Sequence, residues 1–350
     1  MTVKKLSKII KTKTICLCLM FFAYVSAYSQ PFGGGAGTQQ DPYQLSTKEH
    51  LQELSDTMIK TSGTVHSRNW TWNKHFRLMN DITDSVDFVI GGFRNEPFYG
   101  SFYGGGNKIT LAINDSFHSG VALFRLLQDG SIDSLVVDGY VKIKKFFNSC
   151  NIISSAIYVA GIVASSAVTT WASRNYITNC ISNATIDISD GVWLHAGGGV
   201  LGRGVATTLI NCINNGNIIG PKTIASNRNN RLGGIVAELI CSDSRSNIYN
   251  CLNLGVLDGT NIVGGIAGEV DGRSGNVSIL GNTNQNFIKG NKSGGIVGFV
   301  LSGTTVSNNF NSGVVEGASN IGCIVGSKGT GTNIIIENNH YDKQMCGDED

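Results

Sequence analysis

A short glycine-led apolar patch recurs from residue 160 onward, and its repetition constrains the fold more than any other feature of the sequence. Its copies are A-G-I-V at Ala160–Val163, G-G-G-V at Gly197–Val200, G-G-I-V at Gly233–Val236, G-G-I-A at Gly264–Ala267, G-G-I-V at Gly294–Val297 and G-C-I-V at Gly322–Val325. The copies are separated by roughly 28 to 38 residues, a period typical of solenoids in which each repeat stacks on its neighbours. A chain of 350 residues built in this way need not divide into several globular domains.

An Asn followed by a second small or polar residue forms another landmark within each repeat. These dipeptides are Asn179-Cys180, Asn211-Cys212, Asn250-Cys251, Asn282-Thr283, Asn308-Asn309 and Asn338-Asn339. In the clearest repeats a third element follows, in which an Asn precedes a Gly by two positions, at Asn214, Asn253 and Asn311. Asn tolerates a left-handed backbone, and its amide can bond to the equivalent amide of the next repeat. The pattern therefore predicts Asn ladders at the bends.

The segments between these landmarks are short, alternate apolar with polar residues, and predict strands of about 3 to 6 residues. Three such strands make one coil, and stacked coils about 4.8 Å apart share one continuous core. The sequence thus predicts an all-β fold, a single-stranded parallel β-helix solenoid that is expected to be right-handed. One internal ladder should contain Ile162, Ile235, Ile266, Ile296 and Ile324.

The two ends of the chain have a different character. Residues 28–87 are expected to form an N-terminal cap region, the solenoid to cover residues 88–345, and residues 346–350 to form an acidic tail. A short α-helical cap is predicted by a capping-box pattern followed by apolar residues at helical spacing, carried by Ser46, Glu49, Leu51, Leu54 and Met58. A strand around Phe76, Leu78 and Ile82 is expected to complete the cap.

Residues 1–27 have the three parts of a secretory signal: five lysines, an apolar run too short to span a bilayer, and Val25-Ser26-Ala27. Cleavage after Ala27 and cleavage after Ser29 fit equally well. Removing five lysines and no acid changes the formal net charge from +2 to about −3. We therefore expect an exported protein, secreted or on the cell surface, with no nucleic acid as a partner and no membrane-spanning segment after signal removal.

The cysteines do not form a recognisable metal-binding or disulfide framework. Of nine, two lie in the signal, which leaves an odd number, and their spacing fits no zinc motif. Most are expected to be small buried hydrophobes. The register would stack Cys180, Cys212 and Cys251 in successive coils, where parallel side chains resist bridging, so we expect reduced thiols.

Several of these motifs together resemble the GLUG-motif repeat proteins. The resemblance rests on the G-G-I-V-G patch, the N-C step, D-P-Y-Q-L-S-T from Asp41 and Y-D-K-Q-M from Tyr341, and it covers Asp41 to Met345. It implies a bacterial exported protein in which such repeats form β-helical stalks of adhesin-like surface polypeptides, in some cases beside peptidase domains. Because no sorting or catalytic domain follows Cys346, the chain is expected to be a shortened relative or a fragment of a longer protein.

Motifs of serine hydrolases, metallohydrolases, P-loop enzymes and calcium repeats are missing from the sequence, and no cofactor or metal is expected. One candidate for acid chemistry exists. Glu238 and Glu269 have the same offset after their glycine patches, so stacking would place two carboxylates on adjacent coils, as a retaining glycosidase requires. The alternative is that both are solvated turn residues.

Four tryptophans are the candidate binding residues: Trp70, Trp72, Trp171 and Trp193. Large aromatic rings on loops can contact a glycan or a protein, whereas the alternative for the two near the cap is packing over the core. The sequence therefore favours a non-enzymatic extracellular β-helical scaffold or adhesin-like module that presents loops to a glycan or a host or cell-surface protein. The second hypothesis is a β-helical polysaccharide-acting enzyme, a lyase or glycoside hydrolase.

Overall fold

The computed structural model describes residues 32–61, 68–91, 96–115, 119–144, 157–170, 172–190, 195–222, 230–241, 245–272 and 275–346. These residues form an all-β parallel solenoid of about 8 turns. The predicted fold class is thereby confirmed. The proposed signal at 1–27 and residues 347–350 of the acidic tail lie outside the described residues. Within the described ranges, no helix has the length and apolar character needed to cross a membrane.

Parallel strands stack into three sheets, and from the strand Phe124–Gln128 onward each coil of the chain contributes to all three. Sheet 1 contains Tyr43–Leu45, His75–Leu78, Ser101–Tyr103, Ser131–Asp133, Asn175–Thr178, Thr207–Ile210, Ser246–Tyr249, Val277–Leu280, Thr304–Ser307 and Ile334–Glu337. Sheet 3 contains Phe124–Gln128, Val163–Ala167, Leu201–Val205, Val236–Ile240, Ala267–Asp271, Val297–Val300 and Val325–Lys328.

Sheet 2 is divided into more strands than the other two, many of only two residues, because Asn and Gly bends interrupt it within several coils. Its members are Ile82–Val86, Lys108–Asp115, Gly120–Val121, Val136–Ile143, Ile157–Ala160, Ile181–Ser182, Thr185–Asp187, His195–Gly198, Ile213–Asn214, Ile218–Ile219, Arg231–Gly233, Leu252–Asn253, Leu257–Asp258, Ile262–Gly264, Thr283–Asn284, Ile288–Gly294, Phe310–Asn311, Val315–Gly322 and His340–Tyr341. A coil is thus more divided than the three strands that the sequence predicts.

The predicted isoleucine ladder exists at the corner between sheets 2 and 3. The backbone N–H of Ile235 donates to Ile266 O at 3.0 Å, and that of Ile266 donates to Ile296 O at 2.9 Å. Ile296 continues the ladder to Ile324 at 2.9 Å, while Val200 occupies the coil between Ile162 and Ile235. All of these side chains are buried. The register that the repeat predicts is therefore confirmed at this corner.

The glycine patches turn the chain where a side chain would collide with the next coil. A Cβ on Gly234 would lie 2.1 Å from Gly265 O and 2.4 Å from the Asn253 side chain. A Cβ on Gly265 would lie 2.2 Å from Gly295 O. Successive coils therefore approach closely only because this corner carries no side chains.

The bends carry the expected left-handed asparagines. Asn179, Asn211, Asn250, Asn308 and Asn338 have φ between 52° and 56°. The prediction of Asn282-Thr283 as the matching pair is wrong by one residue, since Thr283 pairs with Leu252. Gly281, with φ of 68°, takes the left-handed position in that coil because glycine reaches this conformation without strain.

A buried column of amides runs along sheet 2. The Nδ2 of Asn214 donates to Asn253 Oδ1 at 2.8 Å, Asn253 Nδ2 to Asn284 Oδ1 at 2.8 Å, and Asn284 Nδ2 to Asn311 Oδ1 at 2.7 Å. Each amide group in a column also bonds a backbone carbonyl, such as Gly255 O at 3.0 Å from Asn253. The predicted Asn ladder is present, and it lies inside the solenoid.

Cys180, Cys212 and Cys251 lie in neighbouring coils, as predicted, and are buried. Asn282 and Asn309 continue their column, with the Cys251 N–H donating to Asn282 Oδ1 at 2.8 Å and the Asn282 N–H to Asn309 Oδ1 at 2.9 Å. Along the axis, three thiols are therefore followed by two amides at one corner. That the three thiols stay reduced is still a prediction.

The N-terminal end is covered by α-helix α1, Lys48–Thr61, whose Leu51, Leu54 and Met58 are fully buried. The helix begins later than the predicted Ser46–Glu49 capping box allows. Its first turn is capped by Thr47 Oγ1, which accepts from the His50 N–H at 3.3 Å, while His50 Nδ1 accepts from the Ser46 N–H at 3.1 Å. The histidine thus takes the place that the sequence suggested for Glu49.

The boundary expected at residue 88 does not coincide with the start of the sheets. Tyr43–Leu45 already pairs in parallel with His75–Leu78, which pairs with Ser101–Tyr103. The strand expected around Phe76, Leu78 and Ile82 is two strands in different sheets. Helix α1 is therefore inserted between the first two strands of sheet 1, and the cap and the first coils are one continuous structure.

Candidate functional site

Trp70 packs on the end of the core. Its ring lies 5.6 Å from Phe76, 6.0 Å from Phe32 and 5.7 Å from Tyr43, measured between centroids. Because three aromatic neighbours surround it and the ring is half-buried, its geometry fits the packing alternative better than a free binding platform.

Trp72 lies nearby in a more polar surface cluster. The guanidinium carbon of Arg68 sits 3.2 Å from the centroid of the Trp72 ring, and Tyr99 meets that ring edge-to-face at 6.1 Å. Both rings are half-buried. Arg68 therefore occupies one face of the tryptophan by a cation–π contact.

Asp129 and Thr169 complete this group, which we call the Arg68 cluster (Arg68, Trp72, Tyr99, Asp129 and Thr169). Arg68 Nη2 lies 3.7 Å from Asp129 Oδ2 and 3.4 Å from Thr169 Oγ1. The Thr169 backbone N–H donates to Asp129 Oδ1 at 3.1 Å, and its hydroxyl donates to Asp129 Oδ2. The Asp129 side chain is only 6% exposed, so this carboxylate positions the arginine and the threonine.

The cluster is assembled from four segments that the solenoid brings together. Arg68 and Trp72 precede a strand of sheet 1, and Tyr99 precedes another. Asp129 directly follows the sheet 3 strand Phe124–Gln128 and has φ of 51°. Thr169 follows the next sheet 3 strand. Stacking of coils thereby places a cation, a carboxylate, a hydroxyl and two aromatic rings in one surface patch.

Burial and charge act together on the phenol of this cluster. Burial raises the pKa of Tyr99, the carboxylate of Asp129 raises it further, and the positive charge of Arg68 acts in the opposite direction. The phenol is thus kept in its neutral form, in which it can both donate and accept a hydrogen bond. The cluster can contact hydroxyl, amide or carboxylate groups beside an apolar surface.

Sequence reasoning identified part of this cluster. It selected Trp72 as a binding candidate, but Arg68, Asp129 and Thr169 were missed. The Asp129-Gly130 dipeptide is a turn signal, although only the stacking of coils brings it to Arg68. Trp171 and Trp193 lie outside the described residues; in the sequence, Trp171 follows Thr169 by two positions.

Glu238 and Glu269 lie on adjacent strands of sheet 3 and pair in register, as their spacing predicts. They are strand residues with side chains 13% and 9% exposed, so the alternative of solvated turn residues is wrong. Arg231 donates two hydrogen bonds to Glu269, of 2.7 and 3.1 Å, and lies 3.8 Å from Glu238. Glu238 also forms an ion pair with Arg203, whose Nε lies 3.2 Å from Glu238 Oε2.

The two arginines and two glutamates therefore form a ladder of alternating charge, which we call the Arg–Glu ladder. Burial acts to lower the pKa of Arg231, yet the hydrogen bonds and charge of Glu269, aided by Glu238, raise it above its ordinary value. The acid of a glycosidase pair must carry a proton, whereas a bidentate guanidinium stabilises the ionised carboxylate. The geometry favours a role in holding coils together.

Among the residues that the structure describes, no group of three or more His, Cys, Asp or Glu side chains is arranged to hold a metal ion. We therefore assign no metal ligands, and the electrostatics of the Arg68 cluster and the Arg–Glu ladder are those of side chains alone.

Comparison with known proteins supports the fold of this chain but does not show its family. No family model matches the chain, and no curated protein does. Among solved structures, the chain resembles a Bacteroides ovatus protein named as a candidate immunoglobulin A1 protease, with a TM-score of 0.59 and 17% sequence identity over 88% of this chain and 87% of that one. The TM-score supports a similar fold, and the likeness concerns the fold alone.

Proposed function

We propose that this protein is a non-enzymatic, exported β-helical scaffold, adhesin-like in design, which binds a glycan or a protein through the Arg68 cluster. Membership of the GLUG-motif repeat proteins is part of the proposal. It is supported by the order of the glycine patches and Asn steps, which the coils display in register.

The observation that carries the proposal is the convergence of four chain segments on Arg68, Trp72 and Tyr99. Trp, Tyr and Arg contribute most of the energy in many binding surfaces because they offer large contact area at a small entropic cost. Here the solenoid fixes their relative positions before any ligand arrives, with Asp129 holding both Arg68 and Thr169. A preorganised surface loses less entropy on binding.

The test is a glycan array and a panel of host surface proteins, probed with the mature chain and followed by titration of each hit. Trp72→Ala should weaken binding by about 10-fold or more, as expected for a central aromatic contact. Phe310→Ala is the matched control, because this aromatic side chain is 42% exposed on sheet 2 and belongs to distant coils; it should bind as the wild type does. Absence of any bound glycan or protein, or equal binding by Trp72→Ala, would overturn the proposal.

The same protein sample is used to test two alternative enzymatic functions. Glu238 and Glu269 motivate a polysaccharide-acting enzyme, so release of reducing sugar is measured on acidic and neutral glycans, with Glu238→Gln as the comparison. The name of the Bacteroides ovatus neighbour motivates incubation with immunoglobulin A1 and analysis of fragments by mass. Turnover that disappears in Glu238→Gln, or cleavage of immunoglobulin A1, would replace the binding proposal by an enzymatic one.

Export is tested directly at the N-terminus. We expect the secreted chain to begin at residue 28 or 30, after removal of the segment with the lysine-rich start and the apolar run. Intact mass measurement of the protein from the culture medium and the cell surface determines the cleavage point. An intact Met1 in the exported protein would contradict this part of the proposal.

A further inference from the structure

A cavity lies far along the solenoid from the Arg68 cluster, beside strands of sheet 2. It has a volume of about 770 Å³, within the range that suits a small ligand or one to two sugar units. Its polar lining comes from Lys222, Thr260, Lys289, Asn291 and Glu316, and Ile321 supplies an apolar wall. We call it the Lys289 pocket.

An irregularity in strand pairing accompanies this pocket. Gly290 pairs with Gly317 and Lys292 pairs with Asn320, so the later strand contains one extra residue between the two pairs. Such a bulge bends the strand and directs neighbouring side chains away from the regular sheet. The extra length is partly fixed by Ser319 Oγ, which donates to Asn291 O at 3.2 Å. The bulge is therefore a built feature of this part of the solenoid.

The positive charge in the pocket is accessible. Lys289 Nζ lies 4.0 Å from Glu316, and both side chains are 55% exposed, so this surface ion pair contributes little to stability and can be exchanged for a ligand contact. Lys222 is exposed as well. The lining contains two lysines and one glutamate, and the carboxylate of Asp258 belongs to the residue that pairs with Lys289 on the adjacent strand. The two ammonium groups, rather than a net charge, would therefore attract an anionic ligand.

Thr260 supplies an independent indication of a polar ligand. Its hydroxyl oxygen is buried and has no hydrogen-bond partner among the residues that the structure describes. A buried hydroxyl without a partner is unfavourable, because the loss of its hydrogen bonds to water is not compensated. Thr260 and Asn291 both line the pocket, and rotation of the Thr260 side chain about χ1 would bring its hydroxyl to a ligand hydroxyl there.

We propose that the Lys289 pocket binds an acidic sugar unit, a hexuronate within an oligosaccharide. The carboxylate would be held by Lys289 and Lys222, a hydroxyl would bond Thr260, and the apolar face of the ring would rest on Ile321, which is 47% exposed. A neutral sugar lacks the group that the lysines attract, and a simple anion lacks the ring and the hydroxyls. This pocket is separate from the Arg68 cluster and does not depend on its proposed function.

The experiment is calorimetric titration of the full mature chain with tri-galacturonate and with the matching neutral galactose trimer. We expect the acidic trimer to bind at least 10-fold more tightly than the neutral one. Lys289→Gln and Thr260→Val should each weaken the acidic trimer by about 5-fold or more. Lys328→Gln, which removes another exposed strand lysine at the same end of the solenoid, is the matched control and should change nothing.

Trp72→Ala should leave binding of the acidic trimer unchanged. This variant therefore distinguishes a failure of the proposal for the Lys289 pocket from a failure of the proposal for the Arg68 cluster. Equal affinity for the acidic and neutral trimers, equal losses in Lys289→Gln and Lys328→Gln, or no binding at all would overturn the proposal. Full competition by acetate at a concentration equal to that of the trimer would also overturn it, because the site would then recognise a carboxylate alone. Circular dichroism of each variant verifies that the solenoid is folded.

Discussion

The first coils and the later coils of the solenoid differ in the side chains that fill their interior. In the first coils, aromatic rings stack along the axis: Phe76 lies 5.4 Å from Phe98, and Phe124 lies 5.2 Å from Phe98 and 5.3 Å from Phe102. In the later coils, aliphatic side chains share the interior with the amide column that includes Asn253.

This difference explains why the repeat is visible in one half of the sequence and hidden in the other. Apolar packing needs only the correct volume, so Phe, Leu or Ile can occupy equivalent positions and the sequence varies. An amide column works only when every coil places Asn at the same corner, because each amide bonds the next. The first coils therefore have solenoid structure without a recognisable sequence repeat.

The largest effect should come from emptying the aromatic core. Phe102→Ala removes a fully buried ring and should lower the free energy of unfolding by about 3 to 5 kcal/mol, measured by urea denaturation. Phe102→Leu, which keeps much of the volume, should retain most of the stability if these coils require volume rather than a particular side chain. Equal losses in both variants would show that ring stacking itself is required.

The amide column, in contrast, should not tolerate the replacement of one of its side chains by an apolar side chain of similar size. Asn253→Leu preserves approximate size but removes one of the two acceptors of Asn214 Nδ2, which keeps Gly216 O, and the amide donor of Asn284 Oδ1 in a buried site. We expect a loss of about 3 kcal/mol in the free energy of unfolding. Asn215→Leu is the control, because this exposed amide bonds Asn183 Oδ1 at the surface and should cost no more than about 0.5 kcal/mol. Similar values for the two variants would contradict the comparison.

The two ends of the solenoid should also differ in local stability. Helix α1 covers the first coils, whereas Val325, Ile334 and Ile336 of the last described coil are only half-buried. Amides of residues 322–345 should therefore exchange with solvent roughly 10-fold faster than those of residues 233–298. Hydrogen–deuterium exchange followed by mass spectrometry measures both ranges in one sample. Uniform protection through residue 345 would disprove the expected difference.

The smallest effect concerns Asp133 on the outer face of sheet 1. Burial tends to raise its pKa, but hydrogen bonds from Thr178, Asn179 and Ser134 outweigh burial, and the pKa lies below the ordinary value. A carboxyl whose pKa is lowered by folding stabilises the fold above the unfolded pKa, near 3.9, and loses that contribution as pH falls through the folded pKa.

Asp133→Asn should therefore cost about 1 kcal/mol at pH 7, since the group is partly exposed. The difference from the wild type should shrink as the pH falls below about 4. Urea unfolding at pH 7 and at pH 3 measures the difference, with the exposed Asp84→Asn as the control. A difference that is the same at both pH values would exclude the ionised carboxylate as its source.

The helix cap and one left-handed bend were predicted at the wrong residue for the same reason. At each place two neighbouring residues can form the required cap or backbone conformation. Thr47 caps helix α1 because a threonine can accept the same N–H bond as the predicted Ser46. Gly281 takes the left-handed position that the sequence suggested for Asn282. In both cases two neighbouring residues fit the pattern, and packing against the rest of the solenoid selects one of them.

The candidate sites depended more strongly on tertiary structure. The offset of Glu238 and Glu269 from their glycine patches was enough to predict adjacent positions, because register repeats with the coil. Arg231, which binds them both, belongs to the preceding strand of sheet 2. In the sequence, Arg231 lies just before a glycine patch, and this position does not indicate that the turn places its side chain against the glutamates of sheet 3.

The sequence by itself determined the parallel solenoid, the isoleucine ladder and the left-handed asparagines, because these follow from residues that recur at a fixed period and interact with their own copies. Tertiary structure decided the Arg68 cluster, the Arg–Glu ladder and the Lys289 pocket. Each includes contacts between residues that are not equivalent positions of the repeat, such as Arg68 and Thr169, Arg231 and Glu269, or Lys222 and Glu316. Their proximity is produced only when coils stack and loops of unequal length meet at one surface.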